Sequence, residues 1–170
     1  MKKVIFAIAL LMFIGGLTSI CWAAEKMASV NLEKVFNEYQ KTKDEEAKLT
    51  KIGEEKQTEI DAKLKDIDQM KSDMDLMSDK EKGEMKTKLN KKMEELRQFD
   101  RQVRADLMRQ RNEIIKGILD EIDKVIADYG KSKGYSIIFN SRALLYKNKG
   151  FDITDEVIKY LNKNYKKGGK

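Results

Sequence analysis

The 170-residue chain has no proline and no histidine, and its one cysteine and one tryptophan, Cys21 and Trp22, sit side by side near the start. Without histidine, and with a lone cysteine, the usual nucleophilic and metal-ligating side chains are missing. There is no glycine-rich phosphate loop, and Asp and Glu are spread along charged segments rather than paired on a packed scaffold. These absences speak against an enzyme, and no cofactor or metal is expected. Glycine is also sparse where it would interrupt structure: from Lys41 to Tyr129 there are only Gly53, Gly83 and Gly117. What fills that stretch is charge, with apolar residues at every third or fourth position. Such a pattern specifies long helices carrying a narrow apolar stripe.

The first residues read as a secretory signal. Lys2 and Lys3 precede an uncharged run from Val4 to Ile20, and Cys21-Trp22-Ala23-Ala24 supplies a small-x-small exit. Cleavage after Ala23 puts Cys21 and Ala23 at the −3 and −1 positions, so residues 1–23 are assigned to a cleaved signal peptide. A retained anchor would need about 20 apolar residues, and a lipid-modified Cys21 would want a small residue in place of Ile20. Cleavage removes the only cysteine, leaving a mature chain without disulfides in an oxidising compartment.

Two stripes follow. Leu49, Ile52, Ile60, Leu64, Ile67, Met70, Met74 and Met77 recur at close to the coiled-coil repeat, with Lys56 in the one gap. Ser78-Asp79-Lys80-Glu81 is a capping box, the mark of a helix start. A second stripe then runs through Met85, Leu89, Met93, Leu96, Phe99, Val103, Leu107, Ile114, Ile118, Ile122, Val125 and Tyr129, with Arg111 in its gap. Helices over 32–77 and 78–129 would be ~69 Å and ~78 Å long. Near-equal lengths joined by a fresh cap predict an antiparallel hairpin with its tip near 77–83; a single kinked helix is the simpler alternative.

The ends have a different texture. Met27–Asn31 forms an edge strand, Gly130 and Gly134 end the second helix, and Tyr135–Phe139 reads as a buried strand. Ala143–Tyr146 is expected to be another strand, Thr154 to cap a short helix with Ile153 and Ile158 as its hydrophobic staple, and 166–170 to be a frayed tail. The fold class is therefore α+β: a long antiparallel helical hairpin, 37–129, on a small β-rich body made of 24–36 and 130–165. So small a body is marginal alone and its short strands leave open edges. Self-association is the remedy, with Val30, Leu32, Tyr135, Ile137, Phe139, Leu145 and Tyr146 as body core and oligomer interface.

Methionine gathers toward the tip: Met70, Met74, Met77, Met85 and Met93. These are seam residues by position, and flexible thioethers also suit a promiscuous binding surface, so client contact is the second reading. Charge is uneven. Residues 41–77 carry 8 basic and 11 acidic residues, 78–129 carry 13 and 12, and 130–170 carry 10 and 3. The arm is thus net −2 and the end of the chain net +7. Within the arm, 86–111 holds 9 basic and 4 acidic residues, suited either to pairing with the acidic outgoing helix or to attracting acidic clients. Arm charge does not support membrane or lipopolysaccharide contact; the basic body suits an anionic surface better. The arms also lack the basic, aromatic-interleaved stripe of a nucleic-acid binder.

Ala28-Ser29-Val30-Asn31-Leu32 with Val35-Phe36, Gly134-Tyr135-Ser136-Ile137-Ile138-Phe139, Leu144-Leu145-Tyr146 and Asp152-Ile153-Thr154-Asp155-Glu156-Val157-Ile158 together resemble the two ends of the Skp/OmpH family of periplasmic chaperones. The middle matches in length, helicity and charge. The resemblance implies a homotrimer shaped like a jellyfish, whose three arms enclose a cavity. Unfolded outer-membrane β-barrel proteins would be held there in the periplasm without ATP. The rival of another class is a structural coiled-coil adaptor that bridges envelope complexes through the hairpin tip.

Overall fold

The computed structural model describes residues 25–168; the signal-peptide assignment lies outside them. Strand β1 (Met27–Val30) leads into helix α1 (Leu32–Glu38), helix α2 (Gln40–Asp75), helix α3 (Asp79–Lys133), strand β2 (Ile137–Asn140) and helix α4 (Thr154–Gly168). The sheet has two strands, β1 and β2, paired in parallel with Met27 opposite Ile137 and Val30 opposite Asn140. On its other side β1 makes a single parallel bridge, Ser29 to Asp152.

Helices α2 and α3 form the arm, about 54 Å and 82 Å long at 1.5 Å per residue. Ser78 and Glu81 close the expected capping box at the tip, the Ser78 N–H donating to the Glu81 carboxylate at 3.0 Å. The carboxylate is held below its ordinary pKa by those Ser78 hydrogen bonds. On α3 the seam follows the expected stripe, with Leu89 buried and its neighbours half-buried, except that Gln110 rather than Arg111 fills the gap. On α2 it follows Leu49, Gly53, Lys56, Ile60, Ile67, Met70 and Met74, and Met77 continues the line in the tip turn; Ile52 and Leu64, expected in the stripe, are exposed. The reason is a strict 4-3 alternation that selects Gly53, which faces Leu107, over Ile52. Lys56 and Lys63 complete the line by setting their ammonium groups 5.5 and 5.1 Å from the Phe99 ring.

The body's core joins Ala28, Val30, Val35, Tyr39, Ile118, Ile122, Tyr129, Ile153, Val157, Ile158 and Leu161. It climbs α3 well beyond the boundary expected at residue 130, because α1 and α4 both pack on that helix. Gly130 lies inside α3 and does not end it: Ile138 Cδ1 stands 3.0 Å from where a Cβ would be, so a side chain here would require the end of the Ile138 side chain to give way. The helix ends at Gly134, whose φ of 70° is the left-handed conformation of a C-cap. The Lys26 ammonium then donates to the Lys133 carbonyl at 3.0 Å, favourably placed at the helix's negative end.

Three further expectations fail. Ala143–Tyr146 is not a strand. Ser141–Ala143 and Lys149–Phe151 are short 3-10 turns, each opened by an Asn side chain (Asn140, Asn148) that accepts a backbone N–H two residues on. The residues between them have no strand beside them among the described residues. Thr154 is not a simple cap: its hydroxyl accepts from the Asn31 N–H at 2.9 Å, tying α4 to the start of α1, while Asp152 takes the Thr154 N–H at 3.0 Å. Residues 166–168, expected to fray, continue α4.

Candidate functional site

The parallel register puts the side chains of β2 on alternate faces. Ile138 points at Gly130 and the core, while Ile137 and Phe139 point away and are exposed. Leu145 and Tyr146 stand out in solvent at 108% and 86% relative exposure, and Met27 and Phe151 are exposed as well. The seven body residues picked from sequence therefore divide. Val30 is buried inside the chain, and Leu32 and Tyr135 pack half-buried on the core. Ile137, Phe139, Leu145 and Tyr146 leave an uncovered apolar surface. Large apolar side chains gathered on so small a body are the kind of surface that partners cover.

Along the arm, Met70, Met74, Met77, Met85 and Met93 are all half-buried in or beside the seam. The apolar side chains that stand out lie elsewhere: Leu76 at the apex, 89% exposed, and Met108 near the body, 66% exposed. Met108 forms a ridge between two open hollows. One, of about 690 Å³, lies along α3 and is lined by Arg104, Ala105, Arg109, Asn112 and Lys116 among others. The other, of about 740 Å³, opens between α2 and α3 beside Arg111, with Leu49, Leu107 and Ile115 in its walls. Thr42 lines it too; its hydroxyl is, among the described residues, the buried side-chain polar atom left without a hydrogen-bond partner. Sequence reasoning missed Met108. The available signal was a second set of apolar residues off the main stripe.

Arm and body meet at an interruption of the outgoing helix. Tyr39, between α1 and α2, adopts an extended backbone with φ −69° and ψ 126°. The Asn162 side chain of α4 spans the gap: its Oδ1 accepts from the Gln40 N–H at 2.7 Å and its amide donates to the Glu38 carbonyl at 3.2 Å. The buried Tyr39 ring packs edge-on against Tyr165, centroids 5.8 Å apart, and its hydroxyl donates to Glu121 at 2.6 Å. Lys41 pairs with the same carboxylate. Burial, then the Glu121 hydrogen bond, push the Tyr39 phenol well above its ordinary pKa. Burial raises Glu121 in turn, but hydrogen bonds from Lys41 and Tyr39 outweigh it and hold the group below the usual carboxylate range. Among the described residues no cluster of His, Cys, Asp and Glu could hold a metal ion, and no helix is long and apolar enough to cross a membrane.

This architecture has a counterpart in known proteins. The family model described as "Outer membrane protein (OmpH-like)" matches residues 26–161, from just before β1 into α4. The chain belongs to the OmpH-like family. An uncharacterized protein of Aquifex aeolicus (strain VF5) is 29% identical over 138 residues, 80% of this chain and 85% of that protein. A crystal structure of a candidate OmpH-like outer-membrane chaperone from Caulobacter crescentus CB15 matches with a TM-score of 0.76 over 84% of this chain and 86% of that one. Its sequence identity is 14%, so the likeness concerns the fold. The OmpH-like match thus carries the same body-and-arm organisation that the two end segments suggested.

Proposed function

We propose that this OmpH-like protein is an ATP-independent periplasmic holdase that works as an oligomer, a trimer by its family resemblance, and keeps unfolded outer-membrane β-barrel proteins from aggregating. One observation carries the reading: each chain joins a long helical arm to a body that leaves Ile137, Phe139, Leu145 and Tyr146 uncovered. Bodies joined through that surface set several arms around one space. The charged arm walls keep that space wet, and scattered apolar side chains offer many weak contacts rather than one tight one. A client can then be shielded and still leave. The family and the description of its Caulobacter relative as an outer-membrane chaperone support this reading, and the signal-like residues 1–23 support export.

The test dilutes a urea-unfolded outer-membrane β-barrel protein into buffer with and without the mature protein and follows turbidity. Protection at one oligomer per client is expected; unchanged aggregation refutes the holdase. Phe139→Asp should dissociate the oligomer, because a charge buried at an interface costs several kcal/mol, and an unaltered mass by light scattering would exclude this surface. The exposed Leu76 favours a second reading, an adaptor that holds one fixed partner at its tip. A crosslinker at position 81 separates the two: one discrete product marks an adaptor, a spread of products a holdase.

A further inference from the structure

Met108 belongs to a second stripe on α3, distinct from the seam. Ala105, Met108, Asn112, Ile115 and Leu119 follow one another at alternating steps of three and four, the a and d positions of a heptad. Ala105, Met108, Asn112 and Leu119 are exposed and Ile115 is half-buried, so this stripe has no partner helix among the described residues. The positions flanking its first two turns, the e and g positions, are Arg104, Arg109, Arg111 and Lys116. All four are exposed and all four are cations.

That flank decides what can lie on the stripe. In a coiled coil the e and g side chains of one helix meet those of the next, so a second copy would oppose cation to cation in either orientation. Like charges at every flanking contact are a device against pairing. The same flank favours an apolar segment bearing acids. Arg104 and Arg109 are held by Asp100 and Asp106 of their own helix at 3.0 and 2.8 Å, exposed pairs of little strength that a client carboxylate can replace. Arg111 and Lys116 make no ion pair among the described residues. Glu113 beside the α3 hollow, and Glu45 and Glu46 across the other, are the opposing acids; Glu45 already pairs with Lys48 at 2.7 Å.

Resting on the holdase reading, we infer that the stripe Ala105–Leu119 with its flanking Arg104, Arg109, Arg111 and Lys116 is the client-holding surface, and that it selects unfolded segments that are apolar and acidic. The half-buried methionines of the seam are not that surface. The oligomeric mature protein is titrated, by fluorescence anisotropy at low salt, into two permanently unfolded chains: reduced carboxymethylated α-lactalbumin, which is acidic, and reduced carboxamidomethylated lysozyme, which is basic. Wild type should prefer the acidic chain. Arg111→Glu with Lys116→Glu should raise Kd for that chain about tenfold and not weaken the basic one, since charge complementarity sets such preferences. Met108→Asp should weaken the acidic chain at least as much. If wild type binds neither chain, the holdase reading falls and takes this inference with it. If wild type binds and the variants bind alike, the holdase stands and the stripe is excluded. An altered oligomer mass in the charge-reversed variant would make the stripe a contact between copies. Loss of binding to phosphatidylglycerol vesicles, with unfolded-chain binding intact, would make it a lipid site; either result overturns the assignment.

Discussion

Replacing Asn162 with alanine tests how the body fixes the arm. The Asn162 side chain satisfies two backbone groups that the helix interruption at Tyr39 leaves without intrahelical partners, the Gln40 N–H at 2.7 Å and the Glu38 carbonyl at 3.2 Å. Each hydrogen bond contributes about 1 kcal/mol net, and a part-buried backbone N–H left unpaired costs about 1–3 kcal/mol. Asn162→Ala should therefore destabilise the protein by about 2 kcal/mol. The variant and wild type are compared by urea unfolding at one fixed protomer concentration, since stability is linked to assembly. Hydrogen exchange at the Gln40 amide should accelerate in parallel. Asn162→Asp is the control: it retains the acceptor for Gln40 but sets a carboxylate against the Glu38 carbonyl, and should not restore full stability. If Asn162→Ala stays within about 0.5 kcal/mol of wild type, a surface-like change, and Gln40 exchange is unaltered, the side chain does not hold the joint.

Ile67, buried in the arm seam, should cost about 2 kcal/mol when cut to alanine, visible as faster amide exchange confined to the arm. Gly134→Ala, at φ 70°, should lose about 1 kcal/mol by forcing a side chain into the left-handed region, measured by the urea midpoint. Asp152 titrates at about 2 rather than 3.8: burial raises it, but Lys147 and Thr154 hydrogen bonds prevail. Its depressed pKa makes it a stabilising group at neutral pH whose contribution fades as pH falls from about 4 to 2. With over a third of the side chain exposed, solvent screening leaves about 1 kcal/mol. The stability difference between wild type and Asp152→Asn should shrink by that amount between pH 6 and pH 2.

The arm was legible because its signals are local. Period, cap and the absence of breakers all lie within a few residues, and Ser78–Glu81 starts α3 as read. The joint at Tyr39 carried no such signal: no glycine or proline stands there, and the interruption is held by Asn162, more than 120 positions away. The segment around Leu144–Tyr146 misled for the opposite reason. Its apolar content reads as a strand, but a strand is defined by its neighbour, and the described residues supply none. Likewise the predicted interface residues were chosen for being apolar, a property shared by Val30 in the core and Leu145 in solvent. Composition did not separate them; the fold did, burying Val30 on β1 and leaving Leu145 in the segment between the two turns. The stripe at Met108 was visible as a period but was masked by the stronger stripe beside it.

The pairing of Met27 with Ile137 predicts an order of events during folding. These partners lie 110 positions apart, and closing so long a loop through a disordered chain is slow and entropically costly. The hairpin shortens the search: once the turn at Leu76–Ser78 forms and the seam zips toward the body, the two strands are delivered side by side. The last step is thus reserved for the sheet. On the export reading proposed above, the chain emerges amino end first, so β1 waits unpaired until the returning helix arrives. Substitutions at the tip should then slow folding, whereas those in the sheet should mainly hasten unfolding.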